Sequence, residues 1–205
     1  QEVNYKHYKS LSGDKLYDLA KDYMQSKLPF ADAISKAHLI ESKELHKYTI
    51  NLLFVIECLP FLLEKYKEKS VSEEIFINSM KDLKYKLDEA YKVYGLFGVE
   101  PIAWYERFLD MRRFALGRLQ FNVAEFEEDD ITVNGYTVKK GDFVIACHIP
   151  SAGPLKPEMC IESFNMAYEF FKDKVSGGIL PVTCDSWLLY PPYKSFFGEN
   201  SNTGD

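Results

Sequence analysis

Residues 143–150 read Phe-Val-Ile-Ala-Cys-His-Ile-Pro, and residues 179–187 read Ile-Leu-Pro-Val-Thr-Cys-Asp-Ser-Trp. Each is an apolar run of strand length beside a breaker, Pro150 after the first and Gly177-Gly178 before the second. Between them Pro157 opens a helical pattern in which Cys160, Phe164, Ala167, Phe170 and Phe171 carry the apolar positions. Strand, loop, helix and strand make a βαβ unit, whose two strands are expected to be buried and parallel. Ligands settle at the carboxyl ends of such strands. In this chain that crevice holds His148, Pro150, Ser151 and Gly153 on one side, with Cys184, Asp185 and Ser186 on the other.

Upstream, Leu119, Phe121, Val123 and Phe126 alternate with other residues as a half-buried strand does. Asn134-Gly135 within 131–138 is a hairpin signal, because both residues accept positive φ. Before Gly117 the periodicity is helical. Leu16, Leu19, Ala20 and Tyr23 predict a helix over 14–27, and a second short one follows over 31–40. Leu45, Tyr48, Leu52, Val55, Ile56, Leu59, Leu62, Leu63 and Tyr66 form a long stripe, with a kink or break expected near Cys58–Leu59 because Pro60 follows. Ser70 with Glu73 fits a capping box for one helix carrying Ile75, Met80, Leu83, Leu87 and Tyr91. Gly95 and Gly98 end it, and Pro101 opens a last helix through Trp104, Phe108, Met111 and Phe114 to Gly117. The fold class is α+β, a helical domain over 1–100 followed by an α/β domain over 101–205.

The totals narrow the function classes. A chain of 205 residues with 46 % hydrophobic and 27 % charged residues is globular in composition. Its net charge of -6, with no basic face or tail, gives no reason to expect nucleic acid. The longest apolar run, Ile50 to Leu63, is too short and too interrupted to cross a membrane. Cys58, Cys147, Cys160 and Cys184 form no Cys-x-x-Cys pair, so they read as reduced, buried thiols of a cytoplasmic protein rather than as a disulfide or zinc framework. No signal peptide is read, and a first residue of Gln1 suggests that the natural N-terminus lies ahead of it.

His148 is the leading candidate for chemistry, a histidine at a strand end able to act as general base. The plainer reading ties it to a backbone carbonyl. Cys184 and Asp185 invite a thiol-nucleophile reading with His148, although neighbours on a strand point to opposite faces and only one of them can meet it. The loop from Ser151 to Lys156 leads into a helix N-terminus, where anions are favoured, and Gly153 permits close backbone approach. Pro154 and Pro157 each remove one N–H donor there. Arg107, Arg112, Arg113 and Arg118 read mostly as structural, and Trp104 and Trp187 as core.

Three segments taken together carry a resemblance: Gly117-Arg118-Leu119-Gln120-Phe121, His148-Ile149-Pro150 with Gly153-Pro154-Leu155, and Cys184-Asp185-Ser186-Trp187-Leu188-Leu189. Their order and spacing resemble bacterial acyltransferase-domain proteins that join an all-helical N-terminal domain to a GNAT-like C-terminal domain. The resemblance implies a GNAT-like mixed sheet in which two parallel strands splay and acetyl-CoA or another acyl-CoA enters between them. It implies His148, Cys184 and Asp185 as catalytic candidates. Ile149, Ser151, Ala152, Gly153 and Leu155 would be the cofactor-binding loop, and the partner a small-molecule substrate with an amine or hydroxyl. The usual Arg/Gln-x-x-Gly-x-Gly/Ala segment is reduced here to Gly153 followed by Pro154. A binding module on a degenerate GNAT fold is therefore the alternative to an acyltransferase, and thiol hydrolysis a third reading. Relatives continue into further strands, so the chain is expected to stop short of a finished sheet edge.

Overall fold

The computed structural model describes residues 6, 14–40, 45–175, 177–186, 188, 190 and 192. The expected strand character of Trp187 lies outside the described residues. Two compact units divide the chain, residues 1–111 and 112–205.

The first unit is helical: α1 (Lys15–Met24), α2 (Phe30–His38), α3 (Lys47–Glu68), α4 (Glu73–Met80), α5 (Asp82–Tyr94) and α6 (Ala103–Leu109). Its centre is α3, which buries Leu53, Phe54, Val55, Cys58, Leu62 and Tyr66. No break occurs at Pro60; the helix runs through it. The bond that Pro60 cannot make would have gone to the carbonyl of Ile56, and both residues lie on the exposed face, where water substitutes for the missing donor. The cap of α4 also differs from the expected one. Ser72, not Ser70, receives the N–H of Ile75 at 3.3 Å, while Ser70 takes a φ of 54° in the turn before it. One expected helix is two, α4 and α5, meeting at Lys81. The reason is Asp82, buried at the start of α5, where it accepts a 2.8 Å hydrogen bond from the Tyr105 hydroxyl of α6. That contact, and the 2.6 Å bond from the Tyr23 hydroxyl to Asp110, tie α6 into the helical unit, so the division falls at 111/112 whereas the sequence suggested 100/101.

Beyond Met111, whose φ of 56° ends the helical path, the backbone becomes extended. The second unit holds β1 (Arg113–Leu116), β2 (Leu119–Glu125), β3 (Ile131–Val133), β4 (Tyr136–Val138), β5 (Phe143–His148), α7 (Pro157–Phe170) and β6 (Val182–Thr183). Phe114 is therefore a strand residue rather than the end of a helix. Gly117 with Arg118 is the two-residue turn of a β1–β2 hairpin, Gly117 supplying a φ of 68° at the first central position. The main sheet has the order β1-β2-β5-β6, antiparallel except for the parallel β5–β6 pair. The α+β class and the parallel pairing match expectation. The hairpin at Asn134-Gly135 does so too, as a separate two-stranded sheet with φ of 51° and 81° at the turn. β6 departs from it: the described ladder is two residues long and Val182 is exposed. Breakers explain this, since Pro181 cannot donate to a ladder and Gly177-Gly178 precede it.

α7 packs on the face of the sheet carrying Phe114 and Phe121, through Phe170 and Phe164 at ring-centroid distances of 4.7 and 5.9 Å. It approaches the β1–β2 turn closely at Gly117, where an added Cβ would stand 2.6 Å from the Ser163 hydroxyl. Replacing Pro60 with alanine restores one helical bond on an exposed face. We expect it to raise unfolding stability by about 1–2 kcal/mol in urea titrations. An unchanged or lower value would show that the carbonyl of Ile56 has a better partner than water.

Candidate functional site

The carboxyl end of β5 carries two sets of side chains, one on each face, because neighbours along a strand alternate. The register places His148 opposite Gln120 and Ala146 opposite Asn122 on β2, while Asn122 in turn lies opposite Arg113 on β1. This face is polar and buried: Arg113, Gln120 and Asn122 are each less than 5 % exposed. The Arg113 guanidinium donates to Asn122 Oδ1 from Nε at 3.3 Å and from Nη2 at 3.2 Å. His148 Nε2 lies 2.7 Å from the same oxygen and 3.3 Å from Arg113 Nη2. A guanidinium only donates and an amide oxygen only accepts, so Nε2 cannot satisfy both at once. The shorter contact is read as Nε2–H donating to Asn122 Oδ1. His148 is thus the half-buried tip of a side-chain network.

The other face carries Cys147, opposite Phe121. Cys147 meets Cys184, with which it shares a thiol–thiol hydrogen bond. That bond holds the Cys184 thiol down at about 7 and pushes Cys147 well up, burial adding to the rise. The structure therefore brings Cys184 to Cys147 and places it on the face away from His148. Asp185 follows as an exposed residue past the end of β6. The expectation of uniformly buried thiols holds for Cys58 and Cys147, while Cys160 is half-buried and Cys184 exposed; the short, uncovered β6 accounts for the last.

The loop after β5 is shaped by Arg118, which the sequence alone marks as no more than a structural arginine. Arg118, itself buried, donates to the carbonyls of Pro150 at 3.0 Å, Gly153 at 2.7 Å and Pro154 at 3.2 Å. Ser163 of α7 sets Arg118 in place. Its hydroxyl accepts from the N–H of Arg118 at 2.7 Å and of Leu119 at 3.3 Å, and donates to the carbonyl of Met159 at 2.8 Å. Three carbonyls drawn onto one cation turn the negative ends of those peptides inward. At Gly153, whose φ is 85°, a side chain would meet nothing within 4 Å of its Cβ, so the space above the loop is open. The requirement for glycine there is conformational rather than steric. Ser151 and Gly153 are exposed, with Ala152, Leu155 and Ile149 half-buried. The Ala152 N–H already donates to the Pro150 carbonyl at 2.7 Å, which removes it from the donors a phosphate would use. Lys156 then precedes the first turn of α7. An open approach, inward carbonyls and cationic neighbours suit a diphosphate, with fewer backbone donors than a glycine-rich loop provides.

Sequence reasoning missed Asn122 and Ser163, read Arg113 as structural, and met Gln120 only within the segment Gly117-Arg118-Leu119-Gln120-Phe121. Alternation marked 120 and 122 as solvent-facing, and the signal against that reading was their placement between two apolar strands. A separate cavity of about 440 Å³, lined by Tyr136, Asp142, Phe143, Lys174, Ile179 and Pro181 among others, lies at the opposite end of β5. It holds none of the expected site residues.

Two outcomes check this geometry. Ser163→Ala strands the buried N–H groups of Arg118 and Leu119 and should cost about 1–3 kcal/mol in chemical denaturation; a neutral result would contradict the anchoring role. Iodoacetamide should alkylate Cys184 in the native protein at a rate that climbs through pH 7 as its thiolate forms. Cys58, pushed up by burial, should stay unmodified, and equal labelling of both would contradict the assignment.

Residues 16–111 match the N-acyltransferase N-terminal domain, and residues 114–204 match the GNAT-like C-terminal domain. No curated protein matches the chain. In fold it is similar to an acyltransferase crystallised in complex with decanoyl-CoA and teicoplanin, at 22 % identity and a TM-score of 0.62. It is also similar to an acyltransferase in complex with CoA and 10C-teicoplanin, at 21 % and 0.62, and to an acyltransferase in complex with decanoyl-CoA, at 23 % and 0.61. Each comparison covers 77 % of this chain and 46 % of the other, so the chain spans about half the length of those structures. The helical unit and the mixed-sheet unit thus correspond, in order and extent, to the two matched domains: the chain belongs to the proteins that join an N-acyltransferase N-terminal domain to a GNAT-like C-terminal domain.

Proposed function

We propose that the protein transfers an acyl group from acyl-coenzyme A to an amine or hydroxyl of a small-molecule acceptor, with His148 as general base. The observation that carries this is the Arg113–Asn122–His148 network, which fixes one imidazole tautomer at the carboxyl end of β5. Asn122 holds the Nε2 proton, so Nδ1 takes the proton of the attacking acceptor as its lone pair closes on the thioester carbonyl. The carbon–sulfur bond then breaks, and the coenzyme A thiolate leaves with that proton. Arg118 keeps the 150–154 loop in shape for the diphosphate end of the acyl donor.

The solved acyltransferases in complex with decanoyl-CoA or CoA support acyl-CoA as donor. Teicoplanin in one of those complexes supports a small-molecule acceptor class for this chain without naming the acceptor. Among the described residues no helix is long and apolar enough to cross a membrane. We read the compartment as cytoplasmic, on the support of a cysteine spacing that suggests no disulfide framework.

The test is thiol release from decanoyl-CoA with a panel of amine and hydroxyl acceptors. His148→Ala should lower turnover by about 10²–10⁴-fold while leaving acyl-CoA affinity within a few fold. Asn122→Ala should lower kcat and shift its pH profile, because the tautomer is no longer held. Turnover unaffected by either change would overturn the assignment of His148 and favour a binding module on the same fold.

A further inference from the structure

We propose that Cys147 and Cys184 are a redox-active dithiol that a hydroperoxide oxidises to an intramolecular disulfide across β5 and β6. The parallel register supplies the geometry. Ile145 pairs with Val182 and Ala146 with Thr183, and Cys147 and Cys184 are the residues that follow on the two chains, one step past the last ladder pair. Neighbouring strands lie about 4.8 Å apart, inside the Cα separation of about 4.4–6.8 Å that a disulfide spans. The two thiols lie close enough to perturb one another.

The two cysteines are also unequal in the way such a pair requires. Cys184 is exposed and meets a dissolved oxidant first, whereas Cys147 is buried beneath it. Its partner's hydrogen bond favours the Cys184 thiolate near neutral pH, the form that reacts with peroxide. The thiolate attacks one peroxide oxygen and the O–O bond breaks, giving a sulfenic acid and hydroxide, which takes up a proton. The Cys147 sulfur then attacks the Cys184 sulfur. An S–S bond forms, the S–O bond breaks, and the hydroxyl departs as water with the Cys147 proton. Two thiols have lost two electrons, and the peroxide has become two waters. Cys160 on α7 is near enough to raise Cys147 electrostatically, yet no strand register pairs it with either thiol, and it serves as the internal control.

The experiment treats the native chain with a stoichiometric amount of hydrogen peroxide, alkylates the remaining thiols and maps peptides without reduction. The expected result is a Cys147–Cys184 linked peptide lighter by two hydrogens, reversed by dithiothreitol. It should be lost in Cys184→Ser and retained in Cys160→Ser. In Cys147→Ser the exposed sulfenic acid should instead be trapped by dimedone. A link to Cys160, a link between two chains, or Cys184 driven straight to sulfinic acid in the unmutated protein would each overturn the proposal. None of these readouts depends on acyl-CoA, so they stand apart from the test of acyl transfer.

Discussion

The second unit depends on the antiparallel pairing of β2 with β5, the longest ladder in its main sheet, which runs from Gln120 opposite His148 to Glu125 opposite Phe143. Because side chains alternate across a strand, this one register sorts β5 into two chemistries. One face receives His148 beside Gln120 and Asn122. The opposite face receives Cys147 beside Phe121 and, through β6, Cys184. A slip by one residue would put the imidazole among the phenylalanines and the thiol among the polar groups. The apolar packing of Phe121 against Phe164 holds the register. The buried Arg113–Asn122 contact specifies it further, since an unpaired guanidinium there would be costly.

A second constraint operates at right angles to the ladder. The β1–β2 turn meets α7 so closely that only glycine fits at 117, and Ser163 uses that closeness to bind two N–H groups of the turn. Arg118 leaves the turn in a fixed direction as a result and gathers the carbonyls of the 150–154 loop. Helix, turn and loop are thus connected through one hydroxyl and one guanidinium. The short segment Gly117-Arg118 matters for the conformation of a loop more than thirty residues away in sequence, as the 32-residue separation of Arg118 and Pro150 shows.

Much of this was legible from the sequence where local pattern and tertiary demand agree. The helical first half, the Asn134-Gly135 hairpin, β5 and the parallel β5–β6 arrangement all follow from periodicity and breakers. The misreadings occur where tertiary packing overrides local pattern. Pro60 fails to break α3 because its missing bond faces water. Phe114 continues a helical spacing from Met111, yet Arg113–Leu116 gains more by pairing with β2. At the site, His148 was visible as a histidine at a strand end. Its partners were not, because nothing local distinguishes a buried Asn122 from a solvated one. The sorting of Cys184 away from His148 follows from alternation only once the β5–β6 register is known.

The most direct test of acyl-CoA binding at the carboxyl end of β5 is calorimetric titration of decanoyl-CoA and of free coenzyme A into the protein, unmodified and with Arg118→Gln. Saturable binding of both ligands is expected, weakened at least about tenfold in the variant through loss of the ordered 150–154 loop. Absence of binding at millimolar ligand would contradict that site. So would affinity that is indifferent to Arg118, which would move the ligand to another part of the chain, with the cavity at the far end of β5 the first place to look.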